Sequence, residues 1–317
     1  MARILRLIAA RIALAAVTLL AVSALVFVLA SLVSGNVAAQ ILGRESTPSE
    51  RQAFVVQHGL DHPAVDRYFT WLGDVVQGDF GTSYESNASV TPLVVPGLDN
   101  TLQLAAYALV ISLVFSALAA IVAALFRNRW PDTVVSTATL AGLALPEFVL
   151  GPLLIIIFGV GLSLFPVLAI VPPGAGIGER IRVLTLPAVT VALTMSTYVI
   201  RMARESLIEV MDSDYVRAAV LRGVPRRRVV CRHALLNALG PALNVTALNF
   251  TYLIGGLVVV ETVFSYPGVG TVLVNAITND DIPVVEAVVL IASAFYIGAN
   301  LVADLIALAL NPKLRAA

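Results

Sequence analysis

The residues able to do covalent or metal chemistry are few and scattered. The chain has three histidines and one cysteine, and no Gly-x-Ser-x-Gly or His-Glu-x-x-His pattern sets up a nucleophile or a zinc pair. His58 and His62 stand four apart with Asp61 and Asp66 nearby, a metal-like composition. Gly59 and Pro63 interrupt the helix that such a spacing needs. The competing reading is two histidines flanking a turn, and no metal is expected. Gly174-x-Gly176-x-Gly178 has the glycines of a nucleotide loop without the strand and helix that flank one. No Gly-x4-Gly-Lys-Ser/Thr occurs, so ATP is not expected to bind here and no cofactor is expected in this chain. Four carboxylates, Glu147, Glu261, Glu286 and Asp304, fall inside or at the edge of apolar stretches, where ionisable groups are functional candidates by default. Glu261 and Glu286 sit near the outer boundary, and Asn300 lies one turn before Asp304 as a bland partner. Only Asp304 approaches the depth that proton coupling requires.

The more informative chemistry is mechanical. Asp212 to Pro241 is a polar, Arg-rich island in an otherwise apolar chain. Each Arg at the centre of a bilayer costs at least about 2.5–3.5 kcal/mol, so the island must lie outside the hydrocarbon. Within it, Asp214–Arg222 predicts a short helix that starts after a Ser/Asp cap, presents Ala218 and Ala219, and stops at Gly223. Small residues on one helix face let the groove of another protein close around it. Asp214, Tyr215, Arg217, Ala218, Ala219, Arg222 and Gly223 are therefore the candidate coupling residues, through which a soluble engine would push on a membrane protein. The competing reading is an ordinary basic loop beside a membrane.

Composition requires a membrane to hold these elements. Hydrophobic residues make up 59% and charged residues 13%, and the mean hydropathy is +0.92. Soluble domains lie near about 45–50% apolar and about 25% charged. Spans of about twenty apolar residues fall near 11–33, 101–126, 134–158, 183–202, 243–263 and 284–310. Helices are the expected spanning structure, because backbone groups in hydrocarbon must be bonded within the segment. The run from Ile12 to Val33 exceeds a signal-peptide core, and no convincing cleavage site follows it, so it reads as a retained span.

Orientation follows from the basic residues. The N-terminus carries Arg3, Arg6 and Arg11, the second-to-third connection Arg127 and Arg129, and the end Lys313 and Arg315. With Arg201, Arg204, Arg217, Arg222, Arg226, Arg227, Arg228 and Arg232, fifteen of the 20 basic residues lie on one side. Both termini and the Arg-rich loop are expected to be cytoplasmic. Cys231, in that loop, fits a reducing compartment. The expected organisation is a cytoplasmic end and first span over 1–33, an external cap over 34–100, a five-span core over 101–311 containing the coupling loop 203–241, and a tail over 312–317. The cap has eight acids against three arginines, with helical periodicity around Glu50–Leu60 and Val65–Val76.

Several of these segments carry a family resemblance. Ala218-Ala219 followed by Gly223 resembles the "EAA…G" coupling loop of binding-protein-dependent ABC importer permeases. Asp214-Tyr215-Val216-Arg217-x-Ala219, Gly223, Arg227-Arg228 and His233-Ala234-Leu235-x-Asn237-Ala238-Leu239-x-Pro241 resemble more narrowly the first permease of dipeptide and oligopeptide importers. Arg217 stands where the wider superfamily has Glu. Gly255-Gly256 with Glu261-Thr262-Val263-Phe264-Ser265-Tyr266-Pro267-Gly268-Val269-Gly270 is similar to the family's "GG…ETVFSxPGxG" stretch. Leu145-Pro146-x-Phe148-Val149-Leu150-Gly151, Trp71-Leu72-Gly73-Asp74 and Gly78-Asp79-Phe80-Gly81-Thr82-Ser83 extend the likeness over nearly the whole chain. Ser34-Gly35-Asn36-Val37 departs from the family's Pro-Gly-Asp-Pro turn, and Asn311-Pro312-Lys313 stands for its Asp-Pro-Arg.

The resemblance implies an all-α polytopic membrane protein of six transmembrane helices with the type I, MetI-like importer fold, in a prokaryotic inner membrane. It implies a second homologous permease, two ATPase subunits or domains that bind ATP and Mg, an external solute-binding protein, a surrounding lipid bilayer and a peptide substrate. No nucleic-acid partner is expected. A nickel or other small-solute importer of the same branch is the nearest alternative, and an ion-coupled secondary transporter is the alternative of another class. The absence of an internal repeat and the dedicated coupling loop count against the latter. A path for peptides needs replaceable hydrogen bonds rather than fixed charges. Thr246, Asn249 and Tyr252, with Gly255 and Gly256, are the candidate path residues on the fifth span, and Thr190, Thr194 and Thr197 on the fourth. Helix–helix hydrogen bonding is the competing role for these hydroxyls.

Overall fold

The computed structural model describes residues 2–33, 37–43, 45–223 and 255–310. They are helical nearly throughout. α1 (Ala2–Val33), α5 (Thr91–Leu125), α8 (Ile177–Met211) and α12 (Ile282–Leu310) each contain a stretch long and apolar enough to cross a membrane. A further apolar pair of helices is bent. α6 (Trp130–Ala144) and α7 (Glu147–Leu154), the latter continued by π-helical turns over Ile155–Gly161, are bent by 113°. The bend falls inside the span expected over 134–158. Leu145 precedes Pro146 and is extended (φ −101, ψ 110), because the proline ring crowds a helical neighbour; the helix restarts at Glu147. The span expected over 243–263 lies mainly outside the described residues, and its last turns form α10 (255–263). α11 (Val269–Thr278) is a shorter apolar helix.

Two compact units divide the chain. Unit 1 comprises Met1–Leu102 and Pro267–Gly298. It carries the cap helices α2 (Val37–Ile41), α3 (Pro48–Gln57) and α4 (Ala64–Val76). α3 begins with a full capping box: Glu50 N–H donates to Thr47 Oγ1 at 3.3 Å and Thr47 N–H to Glu50 Oε2 at 2.7 Å. The cap is tied to α1 by Tyr68, whose hydroxyl pairs with Ser23 at 2.9 Å and whose ring meets Phe27 edge-on. It is tied to the start of α12 by Asp281, which accepts from Ser83 Oγ at 2.5 Å and from Tyr84 N–H at 2.9 Å. The Pro267–Gly270 turn clamps onto α5: Asn100 donates to Pro267 O at 2.8 Å and Val269 N–H to Thr101 Oγ1 at 2.8 Å. Gly97 permits this approach, since a Cβ there would lie 3.2 Å from the Gly268 carbonyl carbon.

Unit 2 comprises Gln103–Tyr266 and Ala299–Ala317 and is built on α8. Its most apolar window is 72% buried, whereas that of α1 is 11% buried and presents its apolar surface outward. Leu184, Leu186, Val191 and Met195 of α8 pack with Leu104, Leu257, Val260 and Phe264. The α6–α8 crossing is close enough that a Cβ on Gly142 would lie 2.6 Å from Thr197 Cγ2. The threonine hydroxyls named as path candidates on this helix bond within it. Thr190 and Thr197 are buried, and Thr190, Thr194 and Thr197 donate to the carbonyls of Leu186, Val191 and Thr194 at 2.7–2.9 Å. An in-helix acceptor satisfies each hydroxyl without any partner from outside.

Candidate functional site

The coupling helix forms where its sequence predicts, as α9 (Asp214–Leu221), with Arg222 and Gly223 in the closing turn. Arg222 N–H reaches Ala218 O at 3.1 Å, and Gly223 takes a left-handed φ of +77 that a side chain would strain. Ser213, expected to cap this helix, also binds back to the helix before it. Its Oγ donates backward to Val210 O at 2.5 Å and finishes α8, while the first turn of α9 is closed by Arg217 N–H on Ser213 O at 3.1 Å.

One side of α9 is anchored and the other is free. Val216 is buried, whereas Asp214, Arg217, Ala218 and Leu221 are exposed, Leu221 at 88%. Those four positions are spaced i, i+3, i+4, i+7 and therefore form a single stripe. A leucine held that open at the end of a charged helix is unusual unless something covers it. Leu221 was missed at the level of sequence, although its spacing from Asp214 and Ala218 was there to be read. The side chains of Tyr215 and Ala219, and all of 224–254, lie outside the described residues.

The helix hangs from a braced rod. Near the end of α8, Arg204 makes a two-pronged ion pair with Asp132 of α6, Nε to Oδ1 at 2.6 Å and Nη2 to Oδ2 at 2.8 Å. Asp132 is buried and also accepts from Asn128 N–H at 2.9 Å and Ser136 Oγ at 3.3 Å. Paired forks of this kind hold orientation as well as charge. Arg127 pairs with Asp212 at 2.8 Å in the open, where it contributes little energy but crosses to the residue before the Ser213 turn. Small side chains, Ala120 and Ala124 with Ala203 and Leu207, let the helices close around the same region. Sequence reading counted Arg204 only toward orientation and passed over Asp132.

Of the path candidates, Thr246, Asn249 and Tyr252 lie outside the described residues. Gly255 faces open space, while Gly256 meets Glu147: a Cβ there would lie 3.2 Å from Glu147 Oε1. The helix restart after Pro146 thus brings an acid against the glycine pair. Glu261 is wholly buried, Glu286 nearly so, and the Asp304 side chain is not described. In the cap, the His58 ring sits 4.4 Å from that of Phe54 and 4.7 Å from that of Tyr84, and burial pulls its pKa below the ordinary value. Burial likewise pushes the Tyr84 hydroxyl up to about 12, with Glu286 and Asp281 adding to the effect and Arg67 opposing it. Among the described residues no group of three or more His, Cys, Asp or Glu gathers to hold a metal.

Repeated apolar helices long enough to cross a membrane, with a short exposed helix at the end of a braced rod, are the architecture of a membrane-embedded protein. Residues 98–316 match the family described as "Binding-protein-dependent transport system inner membrane component", and residues 4–105 match the N-terminal membrane component of the same systems. The chain belongs to this family and is the permease of an ABC importer. It is 36% identical over 298 residues to the glutathione transport system permease protein GsiC of Escherichia coli K12, covering 94% of this chain and 95% of that one. The same identity and coverage hold for the GsiC proteins of Escherichia coli O1:K1 and Shigella dysenteriae serotype 1. The fold is thus an all-helical, membrane-embedded permease whose described residues include four helices long and apolar enough to cross a membrane and one apolar pair bent sharply between its halves.

Proposed function

We propose that this chain is one half of the translocation unit of an ATP-driven importer of di- or oligopeptides, and that α9 docks its ATPase. The exposed stripe of Asp214, Arg217, Ala218 and Leu221, opposite the anchored Val216, carries the reading. Tyr215, Ala219, Arg222 and Gly223 complete the coupling element, with the glycine ending it. Closure of two ATPase subunits, which bind ATP and Mg, would move α9 and, through α8, switch the permease pair between inward- and outward-open states. A second homologous permease and a solute-binding protein outside the membrane complete the machine. The relatives named for glutathione, itself a short peptide, support a peptide cargo. Thr246, Asn249 and Tyr252 with Gly255 and Gly256 are the proposed path.

The test is reconstitution of the complete importer with its ATPases and binding protein. Gly223→Asp and Leu221→Asp should abolish peptide uptake while the ATPases still hydrolyse ATP. Either variant taking up peptide at the normal rate from an intact complex would refute the docking assignment.

A further inference from the structure

Unit 1 contains a cavity that neither α9 nor the proposed path uses. Its volume is about 590 Å3, within the range of small-molecule sites and larger than a single ion requires. Cap residues line it together with Phe27 of α1 and the first turns of α12. Phe27, Trp71, Phe80 and Tyr84 give it an aromatic lining, and Glu286 supplies a carboxylate that is 7% exposed. No hydrogen bond or ion pair reaches that carboxylate among the described residues. Arg67 also lines the cavity, but its guanidinium lies 5.6 Å above the Phe27 ring. Asp66 and Asp74 at the same lining make the cavity acidic on balance, and His58, His62 and the Tyr84 hydroxyl are its remaining titratable neighbours.

A buried carboxylate without a hydrogen-bond partner must either take up a proton or be completed by a cation. Aromatic rings beside that acid favour the same sign of charge. A bare metal would find too few ligands, since no three acidic or imidazole groups gather here among the described residues. An ammonium on an organic body satisfies both walls: three N–H donors for the carboxylate and an apolar remainder for the rings. We propose that this cavity binds an organic primary ammonium group, seated on Glu286 among the rings of Trp71 and Tyr84. Two sources present that group, the α-ammonium of a peptide and the ethanolamine headgroup of a lipid. The assignment stands on the cavity and does not require peptides to be the cargo.

The chain's two tryptophans are Trp71 and Trp130, so Trp130→Phe leaves Trp71 as a reporter in the wall of the site. The full chain carrying this change, in phosphatidylglycerol nanodiscs, should show a saturable change in Trp71 emission with phenethylammonium and none with phenethyl alcohol. Glu286→Gln should weaken the response about tenfold, the loss of one charge-assisted contact. Arg67→Gln removes a competing cation and should tighten it. A dipeptide such as Gly-Phe should compete with phenethylammonium, and its N-acetylated form should not. If nanodiscs of phosphatidylethanolamine abolish the response, the lipid supplies the ammonium; if the response persists there, the solute does. Equal responses to the amine and the alcohol, or an unchanged affinity in Glu286→Gln, would overturn the assignment. Because uptake is not the readout, failure of the peptide-importer reading would leave these outcomes unaffected.

Discussion

Single contacts decide how tightly unit 2 is braced. Gly142→Ala would drive its Cβ to 2.6 Å from Thr197 Cγ2, an overpacking expected to destabilise by about 1–3 kcal/mol. Thr197→Ser removes that methyl and keeps the hydroxyl on Thr194 O, so the double variant should regain most of the lost melting temperature; no recovery would mean that another contact sets the crossing. Removing one partner of the part-buried Asp132–Arg204 pair should cost more than the ~1 kcal/mol of an exposed pair. Asp132→Ala and Arg204→Ala together should be less damaging than the sum of the singles, a non-additivity that a double-mutant cycle of melting measurements reads directly. His58 sets a pH dependence in unit 1. Its folded pKa lies below the ordinary 6.5, so between the two values the unfolded chain binds the extra proton. Stability should therefore fall as pH drops below about 6.5 and be indifferent to pH above it. Hydrogen-exchange protection of α3 should show this slope in the native chain and lose it in His58→Phe. Glu50, held low by its bonds to Thr47, adds a separate loss at more acidic pH. Little of this was legible beforehand. Charges in sequence announce which side of a membrane they prefer, but a pair such as Asp132 and Arg204 is visible only once the fold joins them.

Elements were more legible than contacts, because their signals are local. The apolar runs located the long helices, and the Thr47/Glu50 pair and Gly223 carry cap chemistry that the structure realises at α3 and α9. The bend between α6 and α7 was missed although Pro146 was in view, since a hydropathy window of bilayer length averages over one bend. The hydroxyls of α8 are ambiguous for a related reason: threonine spacing cannot tell a path from a hydroxyl bonded to its own helix. The proposed docking face of α9 was read from its alanines, and the structure adds Leu221 and the opposite, buried Val216. This separation makes two outcomes distinguishable. Leu221→Asp should leave the melting of the purified permease unchanged and abolish co-purification of the ATPases, as it alters only the open face. Val216→Asp places a charge in a packed position and should lower the melting temperature as well. If the two variants behave alike in both measurements, α9 is not held from one side and presented on the other.

At the scale of the whole molecule, membership of a binding-protein-dependent family and the lack of a phosphate-binding loop point to a part rather than a machine. Orientation follows from charge alone: Arg3, Arg6, Arg11 and the arginines of 201–232 should face the cytosol and the acidic cap should face outward. In a Cys231→Ser background, a cysteine at Ser86 should be labelled by an impermeant maleimide on whole cells, and one at Arg227 only after lysis. Labelling of both from outside would overturn this topology. The same reasoning limits what the chain does alone. α8 is filled on most sides by its own unit, and its Thr190 and Thr197 hydroxyls bond carbonyls of the same helix. A peptide-sized passage therefore needs a second bundle facing this one, as the proposed function has it. Purified alone into liposomes, the chain should give no peptide accumulation with ATP inside or outside, and none with an imposed proton gradient. Addition of the partner permease, the ATPases and the binding protein should restore ATP-dependent uptake. Gradient-driven accumulation by the single chain would instead require a coupling ion site within it, with Glu147 beside Gly256 the first group to test.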